Sequence, residues 1–221
     1  MVTFNIQNKK INFLGDSITE GCGVSCIEHI YLNLLKEDSS LAVARNYGIG
    51  GTRIAAQQHP SDPICDKDFI SRVDEMDAEA DIVVVFGGTN DFGHGDAPLG
   101  TFNDRTAYTF YGACHMLMES LINKYPFATI VFMTPLHRNN EDNLKGDGLK
   151  EKDVAGLSTY VNIIIEVAIY YSIPVLDLFA LSGIQPRVPI IQELYCPDGL
   201  HPNDEGHKII AARLKGFLSV L

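Results

Sequence analysis

The stretch Asp81-Ile82-Val83-Val84-Val85-Phe86-Gly87-Gly88-Thr89-Asn90-Asp91 decides the fold class. Its apolar run has the length of one strand and lacks polar alternation, the pattern of a parallel strand covered on both faces. It then breaks into glycine and polar side chains. Open parallel sheets gather their chemistry at that carboxyl edge, where the loops leaving the strands converge.

Similar units lie on either side. Ile11 to Leu14 is an apolar run ending in the turn Gly15-Asp16-Ser17-Ile18, with Gly21 and Gly23 beyond it. Leu41 to Asn46 leads into Tyr47-Gly48-Ile49-Gly50-Gly51-Thr52, whose glycines admit backbone conformations that other residues resist. Downstream, Ala128 to Met133 is closed by Thr134-Pro135, and Ile173 to Phe179 carries Pro174 near its entry. Helical spacing of apolar residues recurs between these runs, over Ser25 to Lys36, Thr106 to Lys124 and Val154 to Tyr171. It returns over Asp204 to Leu221, where Asn203 is the expected cap. Five strands alternating with helices predict an α/β fold with a parallel sheet covered on both sides. Gln57 to Arg72 and Ser182 to Pro197, both punctuated by proline, read as irregular connections, and the polar run Asn139 to Lys152 as a mobile, solvated loop able to act as a lid.

Composition bounds the rest. The 221 residues show no linker or compositional break, so one domain over 1–221 is expected. Net charge is -11 and the 17 Lys and Arg are scattered, which argues against nucleic acid. Cys22, Cys26, Cys65, Cys114 and Cys196 form an odd set without a Cys-x-x-Cys pair, as in a reduced cytoplasmic protein with free thiols and no metal site. The start, Met1-Val2-Thr3-Phe4-Asn5, has no basic region followed by a long apolar stretch, and no apolar run reaches the length of a membrane span. A cytoplasmic location without membrane insertion is therefore expected. The sequence carries no signal for oligomeric state.

A serine on a sharp turn between a buried strand and a helix projects its hydroxyl from the sheet edge, which suits Ser17 as a nucleophile. Asp198-Gly199-Leu200-His201 supplies a carboxylate three residues before an imidazole. On one turn it can fix the imidazole's tautomer and support the charge acquired by a general base. Acyl transfer also needs donors for an oxyanion. The N–H of Ser17, the N–H of Gly51 and the side-chain amide of Asn90 are the candidates.

These four blocks together resemble the SGNH hydrolases, the GDSL family of esterases and lipases. Gly15-Asp16-Ser17-Ile18 matches the first block, with isoleucine in place of leucine, and Asn46 through Gly51 the second; Gly88-Thr89-Asn90-Asp91 matches the third and Asp198 through His201 the last. The resemblance implies a flavodoxin-like three-layer α/β/α sandwich with a five-stranded parallel sheet. It also implies hydrolysis of a small-molecule ester or thioester through an acyl-serine, without cofactor or metal. Carried over, it makes Ser17 the nucleophile, His201 the base, Asp198 its orienter, and Gly51 and Asn90 oxyanion donors alongside the N–H of Ser17.

Asp16 and Asp91 are expected to hold their turns through backbone amides. His59, His94, His115 and His207 lie outside any motif and read as surface or core residues. His137 and Arg138 follow a strand on the active edge, where an arginine can meet a carboxylate or sugar, yet neither belongs to the catalytic set. The family's chemistry serves lipases, lysophospholipases, thioesterases and carbohydrate deacetylases alike. The loops lack a long apolar stretch for a lipid interface, which favours short acyl groups such as acetyl esters of sugars. The rival from another class is a phosphate-binding or small-molecule-binding module on the same glycine loops. Asp16 and Glu20 oppose it, placing negative charge where a phosphate would sit.

Overall fold

The computed structural model describes residues 5–221; Met1 to Phe4, most of the stretch read for an export signal, lie outside it. Five parallel strands form one sheet: β1 Lys10–Gly15, β2 Val43–Gly48, β3 Ile82–Phe86, β4 Thr129–Met133 and β5 Val175–Leu176, in the order β2-β1-β3-β4-β5. That is the doubly wound, flavodoxin-like order, with the chain reversing direction across the sheet between β1 and β3. β1 lies inside the sheet beside the edge strand β2, pairing Phe13 with Asn46 on one side and with Val84 on the other.

Alternation along the strands divides the core in two. Leu14, Val83, Val85, Ile130 and Phe132 face one layer, built on α3 Phe69–Arg72, α5 Phe110–Lys124 and α6 Leu157–Tyr170. Ile11, Phe13, Ile82, Val84, Phe86, Val131 and Met133 face the other, built on α2 Tyr31–Ser39 and α9 Asp204–Leu218. Helices on both faces leave β3 and β4 no water-facing side, which is why they are almost continuously apolar, whereas the edge strand β2 carries Arg45 and an exposed Asn46. The buried polar exception, Asn12, is satisfied: its amide donates to Asp77 O at 2.8 Å and its oxygen accepts from Arg45 at 3.2 Å. No helix among the described residues is long and apolar enough to cross a membrane.

Several boundaries differ from the sequence reading. The helix expected from Ser25 begins at Tyr31; Ile27 to His29 form a single 3₁₀ turn with Ile27 63% exposed, so that residue fitted the spacing without packing. The fifth strand is two residues long, because Asp177 leaves the ladder to cap α7 Leu178–Leu181, accepting from Ala180 N at 3.1 Å. The stretch Ser182 to Pro197 contains α8 Pro189–Tyr195, in which Pro189 opens the helix where its missing N–H is harmless. Two short helices, α1 Ser17–Glu20 and α4 Thr89–Gly93, follow β1 and β3 directly.

Gly48 fits those helices to the sheet. A Cβ there would stand 2.1 Å from the backbone nitrogen of Glu20, so only glycine lets β2 end against α1.

Candidate active site

Asp16 leaves β1 with extended backbone and caps α1, its carboxylate accepting from Ile18 N at 3.0 Å. Ser17 is the first residue of that helix, and its Oγ lies 3.0 Å from His201 Nε2. The imidazole comes from the opposite end of the chain, on the loop between α8 and α9. That loop is fixed by Asn203, which caps α9 by accepting from Gly206 N and donates to Leu194 O.

Asp198 organises the loop. One carboxylate oxygen accepts from Leu200 N at 2.8 Å and His201 N at 2.7 Å; the other faces His201 Nδ1 at 2.7 Å. Partial burial pushes this carboxyl up, but the bonds from His201 and Leu200 outweigh it and hold it below the ordinary aspartate range. A carboxylate only accepts, so the Nδ1 of His201 carries a proton and its Nε2 lone pair faces Ser17. A hydroxyl so placed can lose its proton to the ring as it attacks a carbonyl.

The second and third blocks meet beside Ser17. The N–H of Gly50 is held by Glu20 Oε2 at 2.8 Å, and a Cβ on Gly50 would stand 3.7 Å from that of Ser17, so the Gly50–Gly51 peptide lies against the serine. Gly51 has φ +75°, a conformation glycine adopts freely. Asn90, 5% exposed, donates one amide hydrogen to Thr52 O at 3.0 Å, which leaves its second hydrogen for another acceptor. The structure thus brings Ser17, Asp198, His201, Gly51 and Asn90 to one sheet edge.

Asp91 has the structural part expected of it, accepting from Ile54 N at 2.9 Å and Ala55 N at 2.8 Å. Burial pushes its carboxyl above the ordinary range despite those two bonds. Asp16 is pushed up to about 7 by burial and by the charge of Asp91, against the bond from Ile18 and the pull of His201. The folded state therefore binds a proton that the unfolded chain releases near its ordinary value, so this group destabilises the protein as pH rises from about 4 to 7. Asp16→Asn retains the capping oxygen and removes the charge. Thermal unfolding at pH 8 should show the variant more stable than wild type, by roughly 2–4 °C per kcal/mol recovered, with the gap closing at pH 4. Equal midpoints at pH 8 would count against a buried, titrating Asp16.

The region after β4 departs from expectation. Arg138 is 5% exposed and turned inward, paired with Asp147 and donating to Thr89 O at 3.3 Å, so it does not face a substrate. His137 rests on the Phe179 ring and bonds Glu141 Oε2 at 2.8 Å. Lys150 reaches Asp91 O at 2.8 Å and Tyr160 Oη at 2.9 Å. The run read as solvated is fastened down by its own charges, because composition counts charges without showing which ones pair.

Sequence reading placed His94 among the surface or core histidines, away from the site. Its Nε2 lies 3.3 Å from Asn90 Oδ1, one helical turn away. The i, i+4 spacing from Asn90 was the available signal. His59 is exposed, and His115 and His207 are buried in the core, as expected of them.

The sequence profile of the GDSL-like Lipase/Acylhydrolase family matches residues 13–209. A solved structure of a Lactobacillus plantarum protein is 30% identical over 96% of this chain and 97% of its own, with TM-score 0.83. A possible lipase from Chitinophaga pinensis is 23% identical over 94% of this chain and 96% of its own, with TM-score 0.68. An acetyl xylan esterase is 21% identical over 94% of this chain and 98% of its own, with TM-score 0.64. No curated protein matches the sequence significantly. With the family profile spanning most of the chain and all four sequence blocks meeting at one sheet edge, the chain belongs to the GDSL-like lipase/acylhydrolase family and is a carboxylic ester hydrolase.

Proposed function

We propose that the chain, acting as one domain, hydrolyses a short-chain ester through an acyl intermediate on Ser17. The observation that carries this reading is the unbroken relay from Ser17 Oγ to His201 Nε2 at 3.0 Å and from His201 Nδ1 to Asp198 at 2.7 Å. Ser17 Oγ attacks the ester carbonyl as His201 takes its proton. The oxyanion that forms is met by the N–H groups of Ser17 and Gly51 and the amide of Asn90. His201, held upright and positive by Asp198, then protonates the leaving alkoxide. Water repeats the sequence, giving its proton to His201 as it attacks the acyl-serine, and Ser17 is restored with release of the acid.

Charge narrows the substrate. The Glu20 carboxylate, held on Gly50 N, lies beside Ser17, and Asp198 adds a second negative charge in a protein of net charge -11. Anionic phospholipids and thioesters of phosphorylated carriers are repelled from such a mouth, whereas a neutral sugar ester is not. Space points the same way. The loop through Gly23 presses on the catalytic loop so closely that a Cβ there would stand 3.2 Å from that of His201. An acetyl xylan esterase shares the fold, which adds support to an acetylated carbohydrate.

One observation favours a second reading, a lipase-like or lysophospholipase-like enzyme for longer chains. Ile190 and Leu194 are exposed on α8, the helix that leads into the Asp198 loop, and Val188 is exposed at its N-cap. Turnover of neutral esters with acyl chains of two to twelve carbons, before and after treatment with a fluorophosphonate, decides between them. Turnover should be blocked by the reagent and should fall as the chain grows from two carbons to eight. A maximum at eight or more would transfer the proposal to the longer-chain reading, and full turnover after treatment would remove the acyl-serine.

A further inference from the structure

Beyond the triad, a buried cation sits where the oxyanion loop meets α4. Arg53 is 5% exposed and comes two residues after Gly51. Its Nη1 donates to Gly51 O at 3.2 Å and lies 3.2 Å from His94 Nδ1, while its Nη2 is paired with Asp66. His94 Nε2 in turn lies 3.3 Å from Asn90 Oδ1. One guanidinium therefore touches both segments that carry the proposed oxyanion donors outside α1.

We propose that Arg53 and His94 are positioning residues that set the direction of the Asn90 amide before substrate arrives, while Arg53 also holds the Gly51 carbonyl, in the peptide next to the one that bears the Gly51 N–H; this rests on the oxyanion reading above. The argument follows donor and acceptor inventories. A guanidinium only donates, so His94 Nδ1 must present its lone pair to Arg53. The ring proton is then on Nε2, where it can only donate, and the atom it meets on Asn90 must be the oxygen. The amino group is thereby turned toward Thr52 O at 3.0 Å, with one N–H left over. A reversed amide would set oxygen against the Thr52 carbonyl and nitrogen against the His94 proton. Two independent contacts thus choose one of two orientations that Asn90's own shape does not distinguish.

This arrangement needs a neutral His94, since a proton on Nδ1 would face Arg53 donor to donor. Burial and the neighbouring Arg53 lower its pKa to about 4. Arg138 and Lys150 act in the same direction and Asp147 opposes them. Asp66 keeps the arginine in place. Burial pushes its carboxyl up, but the amides of Asp62 and Ser61 and the Arg53 guanidinium bring it down to about 2, so it stays ionised.

The test is a double-mutant cycle on ester turnover, with Asn90→Ala and Ser17→Ala measured alongside. His94→Phe should lower kcat about 10- to 30-fold with KM within about threefold, a fraction of the hundredfold or more expected for losing the amide itself. His94→Gln, which keeps a donor near Nε2, should return kcat to within about threefold of wild type. In the Asn90→Ala background His94→Phe should cost no more than about twofold, because a residue acting through Asn90 has nothing left to orient. An undiminished loss in that background would assign His94 a structural role and overturn the proposal, as would wild-type kcat in the single variant. If His94→Phe fails to fold, the comparison passes to His94→Gln against His94→Asn, of which only the glutamine reaches Asn90. Equal kcat in those two would likewise overturn it. Turnover insensitive to Asn90→Ala, or to Ser17→Ala, would instead remove the oxyanion or nucleophile reading on which it stands.

Discussion

Ser17→Ala is expected to lower kcat by on the order of 10⁵–10⁶-fold while leaving the fold intact. The magnitude reflects a unit that acts together: without the hydroxyl there is no acyl intermediate, and His201 and Asp198 have no proton to relay. The residual rate would come from the oxyanion donors acting on a water. Stability should change little, because the side chain's one hydrogen bond runs to His201 and the cap of α1 belongs to Asp16. Two readouts apply, turnover of a neutral short-chain ester and the fluorophosphonate adduct located by peptide mass spectrometry. The adduct should sit on Ser17 and be absent from the variant. Labelling elsewhere, or a kcat within tenfold of wild type, would end the proposal that Ser17 is the nucleophile.

Asp198→Asn is the second large effect, a fall in kcat of about 10³–10⁴-fold with KM nearly unchanged. Asparagine can still accept from Leu200 N and His201 N through its oxygen, so the loop can keep its shape. Its amino group, however, would then face His201 Nδ1 as a donor. The ring must answer with a lone pair there and carry its proton on Nε2, pointing at Ser17 Oγ, so the base is occupied. Asp198→Ala should fall similarly and lose the turn as well. A loss of less than tenfold in Asp198→Asn, with unfolding unchanged, would mean that His201 takes its tautomer from another group.

The catalytic blocks were legible because each is short and local. A glycine turn after an apolar run has few ways to fold, and a carboxylate three residues before an imidazole can close on it within one turn, as the 2.7 Å contact between Asp198 and His201 shows. Strand positions were legible for the same reason, since burial on both faces demands continuous apolar residues. Errors gathered where local pattern and packing disagree. Ile27 fits helical spacing yet is solvent-exposed, Pro189 reads as a breaker yet opens a helix, and Asp177 ends a strand by capping the next element.

By itself the sequence determined the parallel α/β architecture, the order of the four blocks and the residues proposed to attack, relay a proton and bind an oxyanion. Side-chain chemistry and the period of the apolar pattern are local properties, and they suffice for that much. Only the tertiary structure decided which charges face the site and which hold it together. Arg138, placed by sequence where it could meet a substrate, is buried against Asp147, whereas Arg53, not singled out, and His94, read as a surface or core residue, lie behind Gly51 and Asn90. The physical reason is that an ion pair or an amide's orientation depends on partners brought from distant segments. Arg53 and His94, or His201 and Ser17, acquire their roles only once the sheet has brought the loops at its carboxyl edge together.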